Sequence, residues 1–114
     1  MEISRHDGIE KDLKNLKRFP SPRESLEAWE RLLLSKGLNE TPAIEKYPHG
    51  FGSLHIHKAR VVPLKENRGK SGGYRLIFQL IEEKAICRVL VFSRHGEYAN
   101  EKELMAKIRE RLEM

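Results

Sequence analysis

Two apolar segments joined by three charged residues constrain the fold of this chain more than any other feature. The segments at about 73–82 and 85–93 are rich in β-branched and aromatic residues, and Glu82-Glu83-Lys84 makes a tight connection between them. A further strand-like segment lies at about 54–63. The simplest topology for three such neighbours is an antiparallel meander.

Helical patterns flank these strands on both sides. A capping box at Ser21-Pro22-Arg23-Glu24 predicts the start of one helix, and Gly37 predicts its end. Asn100 and Glu103 form a second capping signal, which predicts a C-terminal helix. A first helix over 7–19 is indicated by apolar residues at spacings of four and three, namely Ile9, Leu13, Leu16 and Phe19.

These elements predict an α+β fold. We expect an N-terminal helical hairpin packed on a small antiparallel sheet of three to four strands, followed by a C-terminal helix. Residues 38–53, rich in Pro, Gly, Asn and Thr, read as a loop, and the first seven residues are at most an edge strand. At 114 residues the chain is predicted to be one domain, 1–114, with a single modest core.

The apolar content predicts a cytoplasmic protein without a membrane span. No stretch approaches the roughly 20 apolar residues that cross a bilayer, and the N-terminal residues lack the apolar core of a signal peptide. The single cysteine, Cys87, lies in the apolar run AICRVLVF, so we expect it to pack as a core residue.

The net charge of +5 is concentrated in one segment. Between His55 and Arg75 there are six basic residues and one acid, Glu66, while the rest of the chain is balanced. Such a cluster favours an anionic partner, of which nucleic acid is the commonest large one, although a solvated basic loop that aids solubility stays open. Gly69-Lys70-Ser71 does not complete a nucleotide-binding P-loop, because Leu64 stands where its first glycine belongs.

Strand alternation predicts which way these charges point. Tyr74, Leu76, Phe78 and Leu80 form the more apolar face of their strand, which the helices should cover, so Arg75 points the other way. In the last strand, Cys87, Val89 and Val91 suit the covered face, which leaves Leu90, Phe92 and Arg94 on the open one. A half-open sheet is therefore expected to display four cations together: Lys58, Arg60, Arg75 and Arg94.

The order of these motifs resembles the RelE/ParE superfamily of type II toxins, and most closely its RelE and HigB branches. A strand with lysine and arginine is followed by GKSGGYRLIF, then by a hydrophobic strand ending in FSRHGEY and a short charged helix. The start of the chain, IEKDLKNLKRF followed by PSPRESLEAWERLL, is similar to the helical hairpin of those toxins.

The resemblance implies a toxin that enters the ribosomal A site, cleaves mRNA and is held inactive by a cognate antitoxin. No metal or other cofactor is expected, because in this family the 2′-hydroxyl attacks the neighbouring phosphorus directly. The enzyme must activate that hydroxyl, stabilise charge on the phosphate oxygens and protonate the departing 5′-oxygen, and positioned cations supply much of this stabilisation.

The resemblance also assigns roles to individual residues. Arg75 occupies the position of a phosphate-contacting arginine, and Lys58 and Arg60 match a basic pair that serves as general base and stabilises charge. Near the end of the last strand, the expected catalytic residues are Arg94, His95 as acid or base, and Tyr98, which orients the nucleophile or stacks on a base. The expected RNA-binding residues of the preceding loop are Lys65, Arg68 and Lys70. Lys65 or Lys70 is also the alternative source of the catalytic cation, in place of Lys58 and Arg60.

Other functions stay open at this point. A ParE-like member would inhibit DNA gyrase without cutting nucleic acid, and a degenerate relative would only bind RNA or an antitoxin, since a basic concavity binds as well as it cuts. A zinc site at His55 and His57 is not expected, because no third or fourth ligand has suitable spacing.

Overall fold

The computed structural model describes residues 1–47, 50–63, 73–94 and 96–113. Its elements are, in order, β1 (Glu2–Arg5), α1 (Gly8–Asn15), α2 (Pro22–Lys36), β2 (Ile44–Lys46), β3 (Ile56–Val61), β4 (Tyr74–Ile81), a 3-10 turn (Glu82–Lys84), β5 (Ile86–Arg94) and α3 (Glu101–Leu112). The predicted α+β class is confirmed. Of the helices in these ranges, none is long and apolar enough to cross a membrane.

The five strands form one mixed sheet in the order β1-β5-β4-β3-β2. The predicted meander of β3, β4 and β5 is confirmed, while β1 runs parallel to β5. The expected count of three to four antiparallel strands was therefore wrong. β2 lies in the segment that was predicted to be a loop. The sequence did not reveal this strand because three residues are too few to show an alternating pattern.

One face of the sheet, here called the hairpin face, is covered by α1 and α2 as predicted. Its core includes Leu13 of α1, Trp29 of α2, and Leu76 and Phe78 of β4, all of them buried. Cys87 also lies in this core, where burial raises the pKa of its thiol to about 12. It therefore packs as the sequence indicated.

The opposite face, here called the α3 face, carries a second, smaller core beneath α3. Ile77 of β4 and Leu90 and Val91 of β5 pack there against Leu104 and Ile108. The expected orientations in β5 were wrong beyond Leu90. Ile77 pairs with Val91 but Phe78 pairs with Val89, so Leu90 is an extra residue, and this β-bulge exchanges the two faces for all residues after it.

A buried ion pair satisfies the backbone at this bulge. The β1 ladder ends where the His6 amide donates to the Val89 carbonyl at 2.8 Å. Beyond it, the Phe92 amide donates to Asp12 Oδ2 at 2.9 Å and the Leu90 carbonyl accepts from Arg111 Nη1 at 2.7 Å. Asp12 and Arg111 also pair through both carboxylate oxygens at 2.7 and 2.8 Å.

Removing either member of this pair is expected to destabilise the fold strongly. Asp12→Ala leaves the buried Arg111 guanidinium without its carboxylate, and Arg111→Ala leaves Asp12 and the Leu90 carbonyl without their donor. We expect each change to lower the free energy of unfolding by about 3–5 kcal/mol, because an uncompensated charge stays buried. Urea denaturation followed by circular dichroism measures it.

The matched control is Arg23→Ala. It also removes a bidentate pair, between Arg23 and Glu10, but one that is exposed to solvent. We expect its urea midpoint to stay at the wild-type value, since exposed pairs contribute little. A common midpoint for Asp12→Ala and Arg23→Ala would contradict the role given to the buried pair.

Candidate anion-binding site

Three of the predicted cations lie together on the α3 face. Lys58 and Arg60 are two residues apart on β3 and therefore point to the same face. In the pairing with β4, Lys58 lies opposite Ile77 and Arg60 lies directly opposite Arg75. Directly opposed residues have Cβ atoms about 4.5–5.5 Å apart, so the two arginine side chains leave the sheet from neighbouring positions. Like charges at this spacing repel one another, and an anion between them would relieve the repulsion. The shared face predicted for these three residues is confirmed.

Two carboxylates reach into this group from neighbouring elements. Glu45 of β2 lies opposite Lys58, with 3.6 Å between its Oε2 and the lysine Nζ. Glu101, the first residue of α3, accepts a hydrogen bond from Arg75 Nη1 at 3.2 Å. Both carboxylates are more than half exposed, so solvent screens these pairs and each contributes little to stability.

A tyrosine hydroxyl completes the group. The Tyr47 ring is buried in the core beneath α3, and its hydroxyl donates to Glu101 Oε2 at 2.5 Å. Burial, reinforced by that hydrogen bond and by the charge of Glu101, raises the pKa of Tyr47, so the hydroxyl remains a donor. Lys58 Nζ lies 5.9 Å from the ring centroid.

The same contacts act on the carboxyl group of Glu101 in the opposite direction. The hydrogen bond from Tyr47 lowers its pKa most, and the charges of Arg75 and Lys58 lower it further. Glu101 is therefore an ionised acceptor at neutral pH. We call Tyr47, Lys58, Arg75 and Glu101 the α3-face cluster. It holds two cations, one anion and one neutral donor.

Arg94 does not join this cluster, although the sequence predicted that it would. It pairs with Tyr74, which belongs to the hairpin face, because the bulge in β5 turns Arg94 to that side. Its guanidinium carbon lies 4.4 Å from the centroid of the Phe19 ring, between the first two helices. Ser93 instead faces the α3 side, opposite Arg75, and its buried hydroxyl has no hydrogen-bond partner among the described residues.

The remaining predicted residues divide into two groups. Tyr98 is half-buried and packs against the core beneath α3, where burial, followed by the charges of Asp12 and Glu97, raises the pKa of its hydroxyl to about 12. Its ring thus packs beside the last helix. The other predicted residues lie outside the described part of the chain: Lys65, Arg68, Lys70 and His95.

His57 of β3 and His55, just before this strand, make contacts away from the α3-face cluster. His57 stacks on Phe78 at the hairpin face, with ring centroids 5.2 Å apart, and burial lowers its pKa. His55 Nε2 lies 3.7 Å from a Glu82 oxygen. Within the described ranges, no three His, Cys, Asp or Glu side chains come together as a metal site.

Sequence reasoning missed three members of the site: Tyr47, Glu101 and Glu45. Tyr47 and Glu45 lie in the segment predicted as a loop, so no alternation pattern placed them on a face. Glu101 directly follows the Asn100 cap, so the sequence indicated only an acidic residue in the first turn, where it favours a helix start. Tyr47 and Glu101 are 54 residues apart, and no local pattern links them.

No protein-family model, curated protein or solved structure matches this chain. Function is therefore inferred from the site and from the motif resemblance.

The Glu101 carboxyl group is expected to titrate below its ordinary pKa of 4.5. Because its folded-state pKa is lowered, the contacts with Tyr47 and Arg75 persist at and above that ordinary value and are lost as the pH falls through the lowered one. NMR shifts of the Tyr47 ring, followed from pH 7 downward, measure this transition.

Two variants serve as controls for the NMR titration. Glu101→Gln should remove the acid transition of the Tyr47 ring signals. Glu103→Gln, on the same helical turn, should retain it. A transition at or above 4.5 in the wild type, or one that survives Glu101→Gln, would contradict this assignment of the shift.

Proposed function

We propose that this protein is the toxin of a type II toxin-antitoxin system of the RelE/ParE superfamily, acting as an endoribonuclease on translated mRNA. The observation that carries the proposal is the placement of Lys58, Arg60 and Arg75 on one sheet face. A phosphodiester bound there would meet both arginines and the lysine at once. Arg75, from the GGYR motif, is the second residue of β4 and lies on this face.

The fold agrees with the resemblance in part. Two helices, α1 and α2, precede the meander of β3, β4 and β5, and a C-terminal helix follows it, but β1 comes before the helices and β2 after them. The helices and the meander are the elements that the resemblance implies, and β1 and β2 extend the sheet at its two edges. A RelE-like identity for the fold belongs to the proposal.

The reaction requires no cofactor. The 2′-oxygen of one nucleotide attacks the adjacent phosphorus, the bond from phosphorus to the 5′-oxygen breaks, and the products are a 2′,3′-cyclic phosphate and a 5′-hydroxyl. One proton leaves the 2′-hydroxyl and one is added to the 5′-oxygen. Arg75 and Lys58 stabilise the negative charge that develops on the phosphate oxygens.

The resemblance assigns the general-base role to the basic pair Lys58 and Arg60 and an acid or base role to His95, while Tyr98 would orient the nucleophile or stack on a base. The half-buried Tyr98 ring packs beside α3, and burial raises the pKa of its hydroxyl, which makes it a weaker acid, so we assign it no proton transfer. Arg94 is left out of this proposed mechanism, because its side chain lies on the hairpin face.

Partners follow from the same surface. The proposed substrate is mRNA in the ribosomal A site, in the cytoplasm, where a basic face would contact the phosphate backbone. The proposed inhibitor is a small antitoxin that covers this face or displaces α3. An acidic or amphipathic segment would fit either role.

One observation favours a second candidate, a relative that binds RNA without cutting it. Glu101 lies against Arg75, and Arg94 faces away, so fewer cations face the substrate than the resemblance implies. Binding by phosphate contacts alone requires only the remaining positive charge.

Arg75→Ala is expected to abolish mRNA cleavage. The protein and the variant are induced in a bacterial host, and 5′ ends of cellular mRNA are mapped by primer extension while growth and gyrase-linked DNA breaks are followed. Wild type should give new ends within translated frames, and the variant should lower their yield about 100-fold or more, as expected for loss of one group that stabilises the transition state.

Arg23→Ala is the matched control in this experiment, since it removes one exposed arginine from the hairpin side of the molecule. It should cut mRNA like the wild type. Full cleavage by Arg75→Ala would contradict the assigned role. DNA breaks without RNA cuts would identify a gyrase inhibitor, and normal growth with neither would favour the binding-only relative.

A further inference from the structure

Glu101 is held as a bound phosphate would be held. One carboxylate oxygen accepts from the Tyr47 hydroxyl at 2.5 Å and the other accepts from Arg75 Nη1 at 3.2 Å. These donors come from two separate segments of the sheet, and Lys58 adds its charge from a third. Two anionic oxygens that face a guanidinium and a hydroxyl match the non-bridging oxygens of a phosphodiester in charge and in hydrogen bonding.

We propose that Tyr47 is a further phosphate-binding residue, and that the Glu101 side chain occupies its binding site in the free protein and leaves when a phosphodiester binds. That the phosphate belongs to RNA rests on the proposed function. The anion site itself depends only on the contacts described for Tyr47, Lys58 and Arg75.

Tyr47 is well placed for this role because its ring is fixed. The residue is 6% exposed, and its ring packs edge-on against Phe51 with centroids 5.3 Å apart. The ring thus holds the hydroxyl at the sheet surface with little rotational freedom. A pre-positioned donor binds an anion without the entropic cost of ordering a long side chain. The raised pKa keeps the proton on this oxygen.

Glu101 can leave without disturbing the core. Its side chain is 59% exposed, so rotation about its side-chain bonds carries the carboxylate into solvent. The start of α3 does not depend on it, because the Asn100 side chain caps the helix by accepting from the Glu103 amide at 2.9 Å. Once Glu101 has rotated away, Tyr47 and Arg75 have lost their only described acceptor at this site and are available to a ligand.

The alternative explanation is that Tyr47 and Glu101 only hold α3 against the sheet. Removing the charge of Glu101 separates the two explanations. Glu101→Gln retains an oxygen that accepts from Tyr47, so the contact with α3 survives, but it no longer competes for the cations. A competing occupant predicts tighter anion binding in this variant, whereas a structural contact predicts no gain.

The test measures binding of a single-stranded RNA oligonucleotide with 2′-O-methyl substitution throughout, which cannot be cleaved, by fluorescence anisotropy at fixed salt and pH 7. We expect Glu101→Gln to bind about tenfold more tightly than the wild type, equivalent to about 1.4 kcal/mol. Inorganic phosphate should compete for the site, more effectively in Glu101→Gln than in the wild type.

Glu103→Gln is the matched control, since it removes the same charge from the same turn of α3. We expect its affinity to change by less than about twofold, because the carboxylate is exposed and salt screens it. Tyr47→Phe, made in the Glu101→Gln background, should then lower the affinity about tenfold. Circular dichroism and thermal unfolding establish that each variant is folded.

Three results would overturn the proposal. Equal gains from Glu101→Gln and Glu103→Gln would show a general charge effect, and weaker binding by Glu101→Gln would show that Glu101 supports the site. An unchanged affinity on adding Tyr47→Phe would remove Tyr47 from it. None of these depends on cleavage. A gain in affinity found only for Glu101→Gln would support the anion site even if the wild-type protein leaves cellular mRNA intact. In that case the anion site would stand and the nuclease function would be rejected.

Discussion

The buried ion pair between Asp12 and Arg111 determines how the two faces of the sheet are divided. A buried guanidinium and carboxylate are costly to desolvate unless their hydrogen-bonding groups find partners, and here the bulge in β5 supplies them. Asp12 accepts the Phe92 amide, Arg111 donates to the Leu90 carbonyl, and their mutual hydrogen bond raises the pKa of Arg111. Gly8 belongs to the same arrangement, because a Cβ there would lie 2.6 Å from the Arg111 guanidinium carbon.

This bulge explains why the candidate site has one arginine fewer than the sequence predicted. The alternation of side chains predicted for β4 was correct, and so was the face of Arg75. The alternation predicted for β5 failed because one extra residue reverses the orientation of every residue after it. Leu90, Val91 and Phe92 are all apolar, and their hydrophobic pattern therefore does not reveal the insertion. The residues that stabilise the bulge come from α1 and α3, far away along the chain.

Elements with a repeating pattern were predicted well, and those without one were not. β3, β4, β5 and α2 lie within two residues of their predicted ends, whereas α1 ends at Asn15, four residues before its predicted end at Phe19. Gly37 ends α2 with a φ of 79°. Of the two predicted helix caps, Asn100 forms the side-chain hydrogen bond of a cap, whereas Ser21 precedes α2 without forming one. β1 and β2 are too short for a period, and β1 depends on parallel pairing with β5, which only the assembled sheet provides.

The positive and negative side chains on the α3 face partly balance one another. Arg60 and Arg75 lie directly opposite each other, which is unfavourable in an isolated sheet, and Glu45 and Glu101 reduce the positive charge around them. Because both carboxylates are mainly exposed, they neutralise the face weakly and can be replaced without loss of buried surface. A surface that folds with its own exposed carboxylates as counter-ions is already arranged for an external anion. If the proposed site binds a phosphate, the phosphate replaces the weak contact between Glu101 and Arg75.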